Sequence, residues 1–191
     1  MDLNSLKDQP LTFENVLAML QGASPEVIKE IEAKTAHLRK LPWLPQVGPQ
    51  TAAFDSPADE TLYGGAAGGG KTDLLLGLAT TKHQRTVIFR SQSVDLVALW
   101  ERLQDGRMIE TGHLDVPGSE RGWMGRAHDL IGFDEAALLH ELKVNFVTQW
   151  LRSKDPAQRC RVVFATDPPL PEINADGSVS DTAVGDWLLR W

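Results

Sequence analysis

The hydrophobic positions of this chain change their period along its length. Up to about residue 40 they recur at helical spacing. Val27, Ile28, Ile31 and Leu38 share one face of a helix predicted over 26–40, and Ser24-Pro25 is a start signal with proline at the first helical position. Thr12 is placed to cap a shorter helix over 13–21. Pro42, Pro45 and Pro49 then break regular structure and predict an extended linker. Past residue 60 the apolar runs become short and lose their alternation. Segments 61–63, 86–90, 129–133 and 161–165 read as strands, with a further one at 107–112. A short apolar run without alternation fits a strand buried on both faces. Helices are predicted over 71–82, 93–104 and 135–152. Strands alternating with helices predict an α/β fold with a mostly parallel, doubly wound sheet. The chain divides into a helical segment over 1–40, a Pro-rich linker over 41–60 and a core over 61–191.

Composition narrows this picture only a little. With 191 residues, 42% hydrophobic and 24% charged, the chain suits one α/β domain and a small N-terminal addition. Its apolar runs are too short to span a membrane. The opening Met-Asp-Leu-Asn-Ser-Leu-Lys-Asp carries no basic stretch followed by an apolar one, so no secretory signal is read there. The single cysteine, Cys160, permits no internal disulfide and, before an apolar strand, reads as a packing residue in a reducing compartment. A net charge of −7 argues against binding nucleic acid by bulk charge, while arginines clustered at 121–126 and 152–161 leave room for a local basic lining. His37, His83, His113, His128 and His140 are too scattered to suggest a metal site.

The chemistry concentrates in two places. Gly65, Ala66, Ala67, Gly68, Gly69, Gly70, Lys71 and Thr72 spell a complete phosphate-binding loop, G-x-x-x-x-G-K-[ST], between a predicted strand and a predicted helix. Glycines let successive backbone N–H groups point at phosphates. Lys71 brings a mobile charge to the β- and γ-oxygens of ATP, and Thr72 a hydroxyl for Mg²⁺. Asp73 opens the helix whose N-terminus faces the phosphates. A Gly-rich turn that merely connects two elements would not need Lys71 and Thr72 side by side.

The second place is Leu-Ile-Gly-Phe-Asp-Glu at 130–135, an apolar strand ending in two carboxylates, the Walker B pattern. Asp134 is the candidate Mg²⁺ acid and Glu135 the candidate base for the attacking water. Acids that simply start a helix are the plainer alternative, and the complete phosphate loop upstream tilts the choice toward catalysis. Thr166-Asp167, after strand 161–165, is placed to touch the γ-phosphate or to form a Pro-terminated turn.

Four blocks in order resemble the large terminase subunit of tailed bacteriophages and related gene-transfer particles. They are Leu62 to Thr72, Trp123 to Ala136, Gln149 to Ser153, and Ala165 to Pro169 followed by Gly185-Asp186-Trp187-Leu188. The resemblance covers about residues 41–191. It implies a P-loop NTPase of the additional-strand catalytic-glutamate type: an ATPase motor, using ATP and Mg²⁺, that threads double-stranded DNA into a preformed capsid. It also implies a homo-oligomeric ring docked on a portal protein, fed by a small terminase subunit, in the cytoplasm of a bacterial host. By the same resemblance Lys71 and Thr72 serve phosphate and Mg²⁺, Asp134 the metal, Glu135 the water, and Thr166 and Asp167 the coupling of hydrolysis to movement. A glutamine on the adenine side of the loop is also implied, Gln50 by first choice and Gln46 by second. Arg90, at a strand end, is the first candidate for the arginine that stabilises transition-state charge, with Arg121 and Arg126 as others.

Two departures qualify this. Members usually run longer and carry a nuclease, whereas the sequence here stops at Trp191, so a truncated core without nuclease activity is expected. The connection between Leu103 and Arg107 is also short. A truncated nucleotide-binding module, without translocation or turnover, is therefore the alternative.

Overall fold

Three of the short apolar runs become strands buried along most of their length, and they lie side by side. The computed structural model describes residues 43–91, 108–168, 171–173, 178–183 and 185–191. The helices expected over 13–21, 26–40 and 93–104, and the connection between Leu103 and Arg107, lie outside these residues.

Strands β1 (Glu60–Gly64), β2 (Arg85–Arg90), β3 (Met108–His113), β4 (Leu130–Asp134) and β5 (Arg161–Thr166) form one parallel sheet in the order β1-β5-β4-β2-β3. The phosphate-loop strand β1 and the acid-bearing strand β4 are therefore separated by β5. That additional strand makes this the P-loop NTPase variant expected from the sequence.

Successive residues of a strand face opposite sides of a sheet, so each central strand feeds two cores. On one face Ile88, Leu130, Val163 and Ala165 pack against Leu74, Leu75 and Leu78 of helix α2 (Lys71–Thr81). On the other, Val87, Phe89, Ile131, Phe133, Val162 and Phe164 meet Val144 and Val147 of helix α3 (Glu141–Thr148), together with Trp187 and Leu188. The rings of Phe89, Phe133 and Phe164 stack across three neighbouring strands at 5.6 and 5.2 Å, and Trp187 closes the row edge-on at 6.0 Å. Every residue of β4 and β5 is buried, whereas edge strand β1 alternates between exposed and half-buried.

The path differs from the pattern in three stretches. Within the predicted extended linker, Pro49 starts a helix, α1 (Pro49–Asp55), instead of breaking one. At the first helical position proline gives up no hydrogen bond, because that N–H has no helical acceptor. The far end of α1 is held from the sheet: the buried guanidinium of Arg161, at the start of β5, donates to the carbonyls of Ala53 (3.2 Å) and Phe54 (3.3 Å) and to the Thr61 hydroxyl (3.1 Å).

The single helix expected over 135–152 is instead two pieces. Glu135 adopts a left-handed backbone (φ 57°), a 3₁₀ turn follows over Ala136–Leu138, and α3 starts only at Glu141. Contacts from outside the segment override its helical preference. The backbone N–H of Ala137 donates to the Thr166 hydroxyl (3.1 Å), and the carbonyl of Leu139 accepts from the Trp187 indole (3.1 Å). His140 then caps α3 by accepting from the Leu142 N–H. Finally, Pro171–Ile173 (β6) and Val179–Ala183 (β7) form a small antiparallel pair that the hydrophobic pattern does not announce.

Candidate nucleotide site

In a parallel sheet all strands deliver their C-terminal ends to one edge, and ligands of open α/β sheets sit there. The register brings the functional positions to that edge together: Gly64 of β1 pairs with Thr166 of β5, and Asp134 of β4 pairs with Ala165. The phosphate loop runs from Gly64 straight into α2. At the junction Gly70 has φ 70°, a conformation that suits glycine, and its carbonyl accepts from Leu74 N–H (2.9 Å) as α2 begins. A side chain on Gly70 would also collide with the amide of Gln50.

The two sequence motifs meet directly. The Thr72 hydroxyl donates to Oδ2 of Asp134 at 2.9 Å, across 62 positions of sequence. The same carboxylate oxygen accepts from Arg90, through Nε at 2.9 Å and Nη2 at 2.7 Å, and Arg90 Nη2 lies 3.9 Å from Oε1 of Glu135. Asp134 is only 2% exposed, so Arg90 and Thr72 compensate a carboxylate held out of water. Glu135 is far more open, with its side chain 41% exposed, and among the described residues it is the one non-glycine with positive φ. A left-handed turn of that kind costs an L-residue about 1–2 kcal/mol, and such strain collects where a side chain must be aimed.

Lys71 lies across the loop. Its ammonium donates to the carbonyls of Gly65 and Ala66, both at 2.8 Å, and pairs with Oδ1 of Asp167 at 2.7 Å. Asp73 sits in the first turn of α2. Loop residues 66–69 are exposed, with Tyr63 donating its hydroxyl to the Gly69 carbonyl (3.0 Å) beneath them. Thr166 is buried, donates to the carbonyl of Asp167 (2.9 Å), and accepts from Ala137.

Gln50 is bonded at both ends of its amide. Oε1 accepts from the Gln46 N–H (2.6 Å) and Nε2 donates to the Gly70 carbonyl (2.8 Å), with the residue 2% exposed. It braces the loop against the start of α1. Gln46 is exposed, and its carboxamide carbon lies 3.9 Å from where a Gly70 Cβ would stand. Of the three candidate arginines, Arg90 reaches the paired carboxylates. Arg126 instead pairs with Glu110 of β3 (3.1 Å) and lies over the Trp123 ring, and Arg121 is an exposed residue of the 3₁₀ turn Ser119–Trp123.

The described histidines have other tasks. His128 pairs with Glu110, His113 with Asp115, and His83 with the buried Asp129, while His140 caps α3. Burial by itself would raise the Asp129 carboxyl. The His83 hydrogen bond and the backbone N–H groups of Gln84 and Arg85 outweigh it and hold the group below the usual carboxylate range. Burial, followed by the nearby Asp129 charge, raises the Cys160 thiol, in keeping with a packing role. No group of three or more His, Cys, Asp or Glu residues that could hold a metal occurs among the described residues. No helix among them is long and apolar enough to cross a membrane.

No protein-family model and no curated protein matches the chain. Solved structures similar to it include two of a phage protein. One is a large terminase from a thermophilic bacteriophage, at 14% identity and a TM-score of 0.48, covering 66% of this chain and 39% of that one. The other is the large terminase of the same bacteriophage in complex with ADP, at 14% identity and a TM-score of 0.43, covering 63% and 38%. The chain thus spans less than two fifths of the length of either terminase.

Three features of the site are not readable from the sequence: the Asp167 partner of Lys71, the bracing by Gln50, and the grip of Arg90 on Asp134. Asp167 and Arg90 stand out in sequence only by their positions at strand ends. Their partners depend on strand order, which short apolar runs do not encode.

Proposed function

We propose that this chain is an ATP-hydrolysing motor domain of the terminase large-subunit kind, driving double-stranded DNA into a capsid. The observation that carries the ATPase reading is the 2.9 Å hydrogen bond from Thr72 to Asp134, which joins the phosphate loop to the strand-end acids and sets Glu135 beside them. The motor reading rests on the four sequence blocks that resemble terminases.

In this reading the backbone N–H groups of residues 65–72 and the start of α2 receive the phosphates. Lys71 takes β- and γ-oxygens. Glu135, half-buried on its left-handed turn, accepts a proton from water as that water attacks the γ-phosphorus and the bond to the β–γ bridging oxygen breaks, releasing ADP. A hydroxyl and one carboxylate are a donor set that suits Mg²⁺, which binds through one or two carboxylates plus substrate phosphates instead of an all-protein cage. Thr72 and Asp134 would hold it, and when bound it neutralises charge on the phosphates. Arg90 keeps the Asp134 carboxylate aimed at the loop, and an arginine aimed at the γ-phosphate, in cis or from a neighbouring copy in a ring, stabilises transition-state charge. Gln46, exposed beside Gly70, is better placed than the braced Gln50 to meet the adenine edge. Thr166 and Asp167 couple the site to the segment after Glu135. DNA is held through its phosphates, which carry no sequence information. The portal protein and small terminase subunit are the partners, and the bacterial cytoplasm is the place.

Steady-state ATP turnover, with and without linear double-stranded DNA and over a series of protein concentrations, tests this. Turnover per chain that rises with concentration and with DNA is the expected result. ATP bound without turnover at any concentration, and unaffected by DNA, would leave the nucleotide-binding module as the correct description.

A further inference from the structure

We propose that Asp167 is a built-in competitor for the phosphate-loop lysine, so that nucleotide phosphate must displace it before Lys71 can engage the nucleotide. The inference rests on the nucleotide-binding reading above and assigns Asp167 a specific task within it.

The stoichiometry of Lys71 comes first. An ammonium has three donors and no acceptor. All three are committed: to the carbonyls of Gly65 and Ala66 at 2.8 Å each, and to Oδ1 of Asp167 at 2.7 Å. A phosphate oxygen can take a place on Lys71 only if one of these partners leaves. The two carbonyls belong to the loop that wraps the phosphates. Asp167 is the partner that carries charge, and a γ-phosphate beside it would be repelled.

Exposure then decides which partner moves. The Lys71 side chain is 11% exposed and that of Asp167 is 59% exposed. The carboxylate can swing into water at little cost, whereas the lysine stays packed under the loop. Burial thus sets the direction of exchange: Asp167 leaves and phosphate arrives.

The release has a route to the rest of the site. The Thr166 hydroxyl donates to the carbonyl of Asp167 (2.9 Å) and accepts from Ala137 N–H (3.1 Å), two positions past Glu135. The Thr166 carbonyl also accepts from Gly65 N–H at 3.3 Å. A change at Asp167 therefore touches both the loop and the turn that aims Glu135.

The test is equilibrium binding of fluorescently labelled ATP and ADP, with Mg²⁺, to the wild-type chain and to Asp167→Asn and Asp167→Ala. Exposed ion pairs are weak, so the expected gain is modest: both variants should bind the triphosphate about two- to fivefold more tightly. The diphosphate, which brings only its β-phosphate to Lys71, should gain less. The alanine variant guards against a new hydrogen bond made by asparagine. Triphosphate binding that is unchanged or weaker in both variants, with wild type binding normally, would overturn this inference alone. A wild-type chain and variants that all fail to bind either nucleotide would overturn the nucleotide-binding reading and this inference with it.

Discussion

Thr72 and Asp134 show what a single contact decides. Each is legible as chemistry from its motif, because the spacing within a motif is covalent. Their meeting is not covalent and needs the sheet. Thr72→Ala removes the hydroxyl that Asp134 accepts and leaves a carboxylate 2% exposed with one donor fewer. The expected outcome is an Mg²⁺-dependent ATP affinity at least about tenfold lower with the fold retained, checked by nucleotide titration with and without Mg²⁺. Asp129 gives a residue-scale prediction of a different sort. Its carboxyl lies below the usual range in the folded chain, held by His83, Gln84 and Arg85. A depressed carboxylate contributes stability above its unfolded value near 3.8, and loses it as pH falls through the lower folded value. Asp129→Asn should cost about 1–3 kcal/mol at neutral pH, and the gap from wild type should narrow below that unfolded value. Urea unfolding at the two pH values checks both the cost and its direction. Neither the His83–Asp129 pair nor the Lys71–Asp167 pair is readable from sequence, since both join residues from separate elements.

At the scale of elements, the legible runs are those buried on both faces, such as β4 and β5, where composition and burial agree. The departures at Pro49 and over 135–152 have different causes. Proline is locally compatible with the first helical position, and Arg161 then fixes the far end of α1, whereas Thr166 and Trp187 break a locally favoured helix after Glu135. The pair β6 and β7 has weak local signals and escapes for that reason. Helix α2 carries a sharper test. Gly77 is buried in its middle, and a Cβ there would land on the Trp43 ring. Helix propensity alone would make Gly77→Ala stabilising by about 1 kcal/mol. Overpacking against the indole costs about 1–3 kcal/mol. The net expectation is a lower urea midpoint, and a raised midpoint would show that Trp43 moves aside freely.

For the whole molecule, the sheet is the device that turns separate motifs into one site. Parallel strands and the insertion of β5 between β1 and β4 put Gly64, Thr166 and Asp134 on one edge, and Arg90 reaches Asp134 from β2. A net charge of −7 means that any DNA contact is local, so DNA stimulation of turnover should fall as salt rises from about 50 to 200 mM. In the proposed reaction Glu135 activates water for ATP hydrolysis. Glu135→Gln keeps size and hydrogen bonding on the same left-handed turn and removes the base. The decisive measurement is ATP turnover beside ATP binding for wild type and this variant. Turnover lower by about 10²–10⁴-fold with affinity little changed is the expected result. Turnover equal to wild type, or a wild type that binds ATP and never hydrolyses it even with DNA, would contradict it.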